Sequence, residues 1–195
     1  MTYIVVALAA YLLCSVPFGL VVAHAFGLGD IREIGSGNIG ATNVLRTGNK
    51  TAAFLTVILD AGKGAVAVLI ARAFVGEDAA GLAGLFAMLG HLYPIFLKFK
   101  GGKGFATFLG TLLALSFPVG LAACATWAVT ASVTRYSSLS ALIAAALAPL
   151  FTFYFYHTHG AILILFLSAL IFYRHGENIK RLVKGTESKI GSKGH

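Results

Sequence analysis

Residues 51–75 read TAAFLTVILDAGKGAVAVLIARAFV, a nearly unbroken apolar run with an acid and a base, Asp60 and Lys63, in its first half. At about 1.5 Å of rise per residue, a helix of this length crosses a roughly 30 Å hydrocarbon core with some tilt. The 195-residue chain shares this character, because it is 58% hydrophobic and only 11% charged, with a mean hydropathy of +0.86. A transmembrane barrel would instead need stretches of about ten residues with alternating polarity. The sequence therefore predicts an all-α, polytopic membrane protein.

Six further apolar segments flank this run, and together they predict seven transmembrane helices in a single domain, residues 1–195. The fourth segment is short, since 12 residues rise only about 18 Å, and we extend it back towards Gly101. Pro17 and Gly19 fall inside the first segment, where neighbouring helices are expected to accommodate them. No Lys or Arg precedes Arg32, so we expect the first segment to remain as an anchor. The predicted spans are Tyr3–Phe26, Thr51–Val75, Ala79–Leu97, Phe105–Ser116, Pro118–Thr134, Ser138–Tyr156 and Thr158–Tyr173.

Positive charge is one-sided in this arrangement. Of the fifteen Lys and Arg residues, only Arg72, near Glu77 and Asp78, falls on the side opposite the tail. Because Lys/Arg-rich short loops stay in the cytoplasm, the N-terminus is expected outside and the tail, 174–195, inside. The net charge of +8 is spread over membrane-facing loops, which favours anionic lipid and anionic substrates over nucleic acid as partners. The tail-side cations are Arg32, Arg46, Lys50, Lys63, Lys98, Lys100, Lys103, Arg135, Arg174, Lys180, Arg181, Lys184, Lys189 and Lys193.

The segment 35–46, GSGNIGATNVLR, is the most unusual loop. Its glycines at 35, 37 and 40 match the letters of the dinucleotide fingerprint, but no strand precedes them, so we exclude that interpretation. Exposed glycine backbone, neutral hydrogen-bonding side chains and the guanidinium of Arg46 suit a phosphate. A polar surface loop is the alternative. The neutral side chains belong to Ser36, Asn38, Thr42 and Asn43.

Two other charged motifs have both a functional and a structural interpretation. Asp60 and Lys63 lie one helical turn apart inside an apolar span, so they either serve a buried site or hold helices together. The loop 100–104, KGGKG, precedes a helix whose first N–H groups and positive dipole end face it, and Lys103 adds a mobile charge. A basic cytoplasmic loop can also be only a topology signal.

The histidines and cysteines indicate no metal site. Cys14 and Cys124 lie inside apolar runs and predict neither a disulfide nor a metal ligand. A lone membrane histidine such as His91 is more typical of helix packing than of catalysis. His175 and Asn178 lie one turn apart if the seventh helix continues, although an interfacial helix on anionic lipid is the alternative. The remaining histidines, which show no paired ligand spacing, are His24, His157 and His159.

Four of these motifs, taken in order, resemble the bacterial acyl-phosphate:glycerol-3-phosphate acyltransferases, the PlsY family. The resemblance covers nearly the whole chain. The four motifs are SGNIGATNVLR at 36–46, DAGKG at 60–64, GHLYPIFLKFKGGKGFAT at 90–107 and RHGENIKRLVKGTE at 174–187.

The resemblance implies a bacterial inner-membrane enzyme with cytoplasmic catalytic loops and no cofactor. It would transfer a fatty acyl group from acyl phosphate to the sn-1 hydroxyl of glycerol 3-phosphate, the first acylation of phospholipid synthesis. The expected catalytic residues are Ser36, Arg46, Lys103, His175 and Asn178. The expected substrate-binding and phosphate-binding residues are Gly37, Asn38, Gly40, Thr42, Asn43, Lys63, Gly101, Gly102 and Gly104, with Asp60, His91 and Glu177 in support.

Two questions stay open on the sequence. The hydroxyl proton could pass to His175 or to an oxygen of the donor phosphate, and the lack of a visible His–carboxylate pair favours the phosphate. A transporter for a phosphorylated metabolite would also bring cations to the membrane. Such a transporter should show an internal repeat and ionisable residues near the middle of several spans, whereas only the second span has them.

Overall fold

The structure, a computed structural model, describes residues 1–156 and 158–192. Its described residues form ten α-helices and two short 3-10 turns, at Ile31–Glu33 and Ile95–Leu97. Of the residues singled out above, His157, Lys193 and the side chain of His159 lie outside what is described. The helices are α1 Thr2–Ser15, α2 Phe18–Ala25, α3 Ala41–Leu45, α4 Lys50–Phe74, α5 Glu77–Leu92, α6 Phe105–Leu115, α7 Phe117–Thr134, α8 Ser137–Tyr156, α9 Thr158–Arg174 and α10 Gly176–Val183.

Helix α6 occupies the centre of the bundle, between α4 and α7. Small residues allow the close α4–α6 contact, because a Cβ on Gly110 would lie 1.9 Å from the Ala61 carbonyl oxygen, and one on Gly64 would lie 2.8 Å from that of Thr107. Elsewhere around α6 the core consists of large side chains, among which Met88, Leu92, Phe108 and Leu112 are fully buried. Close packing here fixes the start of α6 against the middle of α4.

By length and composition, five described helical segments can cross a membrane, and the bent pair α9–α10 makes a sixth. This result confirms an all-helical, multi-pass architecture. Helix α6 is apolar but has only 11 residues. Its last carbonyls are satisfied at the far end of the bundle by Arg72, which donates to the carbonyls of Ala114 and Leu115 and forms a 2.7 Å ion pair with Glu77. A short helix is stable there because its backbone groups find partners inside the protein.

The structure differs from the sequence prediction at three breaks. The first span is two helices, since α1 ends at Ser15 and α2 starts at Phe18, on either side of Pro17, which lacks an N–H to continue the ladder. Extending the fourth segment back to Gly101 is wrong, because residues 101–104 are not helical and α6 starts at Phe105. Continuing the seventh helix through the tail is also wrong, since the chain bends by 62° between α9 and α10.

Candidate functional site

A cavity of about 340 Å³ lies where the loops before α3 and α6 meet α10 and the neighbouring ends of α4, α7 and α8. On α7 it is lined by Trp127 and Cys124, which lie two to three turns from the end of that helix at Thr134. At 1.5 Å per residue, the cavity therefore reaches roughly 10–15 Å into the bundle. Its polar side is formed largely by residues predicted from the sequence, and its apolar side by helices. The predicted residues that line it are Ser36, Asn38, Gly40, Thr42, Asn43, Arg46, Asp60, His91, Lys103, Gly104, His175 and Asn178.

Asn43 organises the loop before α3. Its Nδ2 donates to the carbonyls of Ile31 and Ile34 at 2.6 and 3.2 Å, while its Oδ1 accepts from the Ser36 N–H at 3.2 Å and from Arg46 Nη1 at 3.0 Å. Because the buried amide makes all of these bonds, it orients Arg46 at the edge of the cavity. Gly35 has a φ of +55°, and a Cβ there would lie 2.6 Å from the Arg46 side chain. The loop thus needs glycine to bring Arg46 to the cavity.

The loop before α6 presents Lys103. The N–H of Gly101 donates to Leu92 O at 3.1 Å and that of Gly102 to His91 O at 3.2 Å, so these N–H groups are not free donors for a phosphate. Arg174 donates to the carbonyls of the same two glycines at 2.8 and 3.1 Å. These bonds pin the loop on both sides. They leave Lys103, Gly104 and the first turn of α6 to face the cavity.

Lys103 is a half-buried cation that is not bonded to an anion among the described residues. No hydrogen bond or ion pair of its ammonium is formed within the part of the chain that the structure describes. Burial, helped by the neighbouring charges of Arg181, Arg46 and Arg174, lowers the pKa of Lys103 to about 8 against the opposing effect of Glu187. An arriving phosphate would supply the missing counter-charge.

Asp60, Lys63 and His91 form a buried cluster beside the cavity. Lys63 Nζ lies 2.8 Å from Asp60 Oδ1, and His91 Nδ1 lies 3.6 Å from the same oxygen. Lys63 also donates to the Val16 carbonyl at 2.8 Å, in the break between α1 and α2, and lies over the Phe18 ring. Its side chain is only 2% exposed, so it does not snorkel to the interface. Asp60 and His91 reach the cavity wall, whereas Lys63 does not.

His175 and Asn178 close the cavity from the tail side, on either end of the first turn of α10. His175 Nδ1 donates to the Ile171 carbonyl at 2.8 Å, which leaves Nε2 of the neutral ring as an acceptor. Burial lowers the pKa of His175 to about 4, although the hydrogen bond to Ile171 opposes the shift, so the ring is neutral at pH 7. The break at His175 turns α10 across the mouth of the cavity.

Glu187 is the main residue that the sequence analysis left without a role. It accepts hydrogen bonds from Ser138, Asn178 and Arg181, each at 2.6 Å, and these bonds lower its pKa although burial raises it. The sequence did contain a signal for this residue, because Glu187 is the last residue of the tail motif at 174–187 that resembles the PlsY family. Ser188, the next residue, accepts from Arg46. Arg174, named only for orientation, pins the loop of Lys103.

The tail is a fixed part of the site. Ile190 N–H donates to the Arg135 carbonyl at 2.7 Å, Arg135 donates back to Ile190 O at 3.2 Å, and Lys189 lies 5.7 Å from the Tyr136 ring centroid. Arg135 and Lys189 therefore hold the tail in addition to any effect on orientation. The predicted residues that do not line the cavity are Gly37, Lys63, Gly101, Gly102 and Glu177; Glu177 is exposed and pairs with Lys180 at 2.8 Å.

The inner wall of the cavity is apolar and was not predicted residue by residue. It is contributed by one face each of α4, α6, α7 and α8, through Val57, Leu109, Trp127 and Ala141, with Phe105 at the start of α6. One cavity thus joins two half-buried cations, Arg46 and Lys103, to an apolar helical wall. That combination is the chemistry that would suit an amphipathic anion in a membrane protein.

Residues 4–185 match the family model described as glycerol-3-phosphate acyltransferase. The chain is 66% identical over 185 residues to the glycerol-3-phosphate acyltransferase of Jannaschia sp. strain CCS1, covering 95% of this chain and 91% of that protein. It is 63% identical over 183 residues to that of Cereibacter sphaeroides ATCC 17025, covering 94% and 87%. The chain therefore belongs to the glycerol-3-phosphate acyltransferase family, integral membrane enzymes of phospholipid synthesis.

Two crystal structures of PlsY, an integral membrane glycerol 3-phosphate acyltransferase, share the fold. The glycerol 3-phosphate form matches with a TM-score of 0.92 and 41% identity, and the lysophosphatidic acid form with 0.89 and 38%. Each match covers 98% of this chain and 96% of the other. The similarity thus spans the whole helical domain, including the loops and the tail that surround the cavity.

Proposed function

We propose that this protein transfers a fatty acyl group from acyl phosphate to the sn-1 hydroxyl of glycerol 3-phosphate, giving 1-acyl-glycerol 3-phosphate and inorganic phosphate. The observation that carries the proposal is the single cavity that joins Arg46 and Lys103 to an apolar wall on α6, α7 and α8. Both reactants carry a phosphate, and one of them also carries a hydrocarbon chain. The relatives bear the matching name, and one related structure is a glycerol 3-phosphate form.

Arg46 and Lys103 bind the two phosphates in this proposal, with Ser36, Asn38 and Thr42 as neutral partners. Asn43 orients Arg46, and the first-turn N–H groups of α6 lack intrahelical acceptors and face the same space. Those N–H groups or Lys103 stabilise the oxyanion that forms at the acyl carbon. The acyl chain extends along the apolar wall. Asp60 and His91 support this arrangement from the side of α4 and α5.

The chemical step needs no metal and no covalent enzyme intermediate. The sn-1 oxygen bonds to the acyl carbon, the bond from that carbon to the phosphate oxygen breaks, and the hydroxyl proton passes to the departing phosphate. His175 is a weak base because its pKa is about 4, and this favours the phosphate as proton acceptor. Its Nε2 can still accept a hydrogen bond from the hydroxyl and direct the attack.

We further propose that the chain forms one domain of seven spans, with α6 as a short seventh segment. An odd number places the N-terminus outside and the tail, with the cavity mouth, in the cytoplasm of a bacterial inner membrane. The Lys/Arg bias supports this orientation. A reporter that is active only in the cytoplasm, fused after His195, should be active. If the reporter fused after His195 is inactive, as it would be outside the cytoplasm, the seven-span arrangement is contradicted.

Purified protein should release phosphate from palmitoyl phosphate only when glycerol 3-phosphate is present. Palmitoyl-CoA should not replace the donor, since it presents no small phosphate next to the carbonyl. Lys103→Met tests the site, and Lys100→Met is the matched control, because Lys100 is exposed in the same loop. Folded protein that releases no phosphate above the acceptor-free background, or that uses palmitoyl-CoA equally well, contradicts the proposal.

A further inference from the structure

The connection between α5 and α6 begins with an exposed turn that is both aromatic and basic, residues 95–100, IFLKFK. Phe96 is 62% exposed and Phe99 is 58% exposed, although both lie outside the α-helices. Lys98 and Lys100 are exposed beside them. Aromatic rings and lysines occur together where a protein meets the headgroup layer, because the rings enter the apolar edge of the lipid while the ammonium groups stay among the headgroups.

The backbone holds this turn in one shape. The N–H of Phe99 donates to Pro94 O at 3.0 Å, and that of Lys100 donates to Leu97 O at 3.1 Å. Lys98 and Phe99 have φ values of +51° and +62°, a left-handed conformation that is uncommon for residues other than glycine. Strain of this kind persists only where the surrounding structure maintains it. The turn therefore presents its side chains from a fixed frame.

The turn lies at the depth where hydrocarbon gives way to headgroups. Helix α5 begins at Glu77, whose ion pair with Arg72 marks the far end of the bundle. Its 16 residues rise about 24 Å of the roughly 30 Å hydrocarbon core, and the turn begins three residues after α5 ends at Leu92. Phe96 and Phe99 thus reach the apolar edge of the membrane, at the end of the bundle where the cavity opens.

The charges around the turn identify the kind of headgroup. The sequence contains no Asp or Glu between Asp78 and Glu177. Neither Lys98 nor Lys100 forms an ion pair within residues 1–156 and 158–192. An anionic headgroup supplies a counter-charge to both lysines, whereas a zwitterionic headgroup brings a cation of its own. The turn therefore favours anionic over zwitterionic lipid.

We propose that residues 95–100 form a binding surface for anionic phospholipid, with Phe96 and Phe99 among the acyl chains and Lys98 and Lys100 on the headgroup phosphate. Every N–H from Phe99 to Gly102 donates to a carbonyl of residues 91–97, so the turn is joined without a free hinge to the loop of Lys103. A lipid bound here fixes the depth of the cavity mouth in the membrane. This inference does not depend on the proposed function.

The test counts lipids bound to the full-length protein by native mass spectrometry. Protein in a neutral detergent is titrated with phosphatidylglycerol or with phosphatidylcholine. The wild type should bind phosphatidylglycerol more tightly. Lys98→Asn with Lys100→Gln should lower the affinity for the first phosphatidylglycerol about 5- to 30-fold and leave that for phosphatidylcholine unchanged. Asn is chosen at position 98 because it tolerates the left-handed conformation better than most residues.

A second pair of substitutions tests the rings. Phe96→Ser with Phe99→Ser should weaken the binding of both lipids about tenfold, because it removes apolar contact and leaves the charges in place. Lys50→Gln with Lys184→Gln is the matched control, since it removes the same charge at exposed lysines elsewhere on the tail side. The control should keep the wild-type preference. All three variants should retain the wild-type midpoint of thermal unfolding in neutral detergent.

Three results overturn the inference: a wild type without preference for phosphatidylglycerol, a preference that survives in the Lys98/Lys100 variant, or an equal loss in the control. A raised KM for palmitoyl phosphate in the Lys98/Lys100 variant, measured in neutral detergent, also overturns it, because the turn would then collect the donor. Wild-type protein that releases no phosphate contradicts the proposed function instead and leaves the lipid counts to decide this inference.

Discussion

Two lysines of this protein, the buried Lys63 and the half-buried Lys103, have opposite surroundings. Lys63 is paired with Asp60 at 2.8 Å, donates to the Val16 carbonyl and lies over an aromatic ring. Lys103 lines the cavity, and within the described residues its ammonium has no bonded partner. A buried charge that is already paired holds helices together, whereas an unpaired one can receive the counter-charge of a ligand. We therefore expect Lys63 to stabilise the fold and Lys103 to bind substrate.

Removing the unpaired charge should have the largest effect on activity. Lys103→Met should lower kcat/KM about a thousandfold or more, since it removes both a phosphate contact and a charge near the developing oxyanion. The free energy of unfolding should change little, because no intramolecular ion pair is lost. Phosphate release and thermal unfolding in detergent measure the two effects. If Lys103→Met instead lost stability while the protein that remained folded kept normal activity, Lys103 would be the lysine that holds the fold together.

Removing the paired charge should act mainly on stability. Lys63→Met leaves Asp60 buried without a counter-ion, and breaking such a pair destabilises a protein by about 3–5 kcal/mol. The midpoint of thermal unfolding should fall accordingly. The double variant with Asp60→Leu should recover much of that loss, because both charges are then absent. A Lys63→Met protein of wild-type stability that has lost glycerol 3-phosphate binding would place Lys63 in the site, as the family resemblance implied.

The pH dependence of acceptor binding should follow Lys103. Its pKa is lowered to about 8, so the ligand-free protein loses this positive charge as the pH rises through 8. Glycerol 3-phosphate remains a dianion there, since the second pKa of a phosphate monoester is about 6. KM for glycerol 3-phosphate should rise about tenfold per pH unit above 8, and Lys103→Arg should remove the rise by keeping the charge. A flat profile in the wild type contradicts the role of Lys103.

The smallest effect is expected at the tail. Ser188→Ala removes the acceptor of one Arg46 hydrogen bond while leaving the bond from Arg46 to Asn43 in place. One net hydrogen bond contributes about 0.5–1.5 kcal/mol, so KM for a phosphate substrate should rise about two- to tenfold. Ser192→Ala, at an exposed serine further along the tail, is the matched control. An unchanged KM would show that the tail does not help to hold Arg46.

The sequence predicted the helical class and most of the polar side of the cavity, because glycine-rich loops with Arg46 and Lys103 stand out against apolar helices. It could not predict partners that lie far apart in the chain. Glu187 contacts Ser138 across 49 positions, and Arg174 contacts Gly102 across 72. At the break beside Pro17, the Val16 carbonyl accepts a hydrogen bond from Lys63, which lies 47 positions further along the chain. Helix α6 starts at Phe105 because hydrogen bonds outside the helix hold the glycine loop before it.

The most direct measurement is the structure of this protein with glycerol 3-phosphate bound. We expect the phosphate within hydrogen-bond distance of Arg46 or Lys103 Nζ, with the Lys63–Asp60 pair intact at its 2.8 Å separation. A phosphate bound to Lys63, with Asp60 displaced, would contradict the division between charges that hold the helices and charges that bind the substrate.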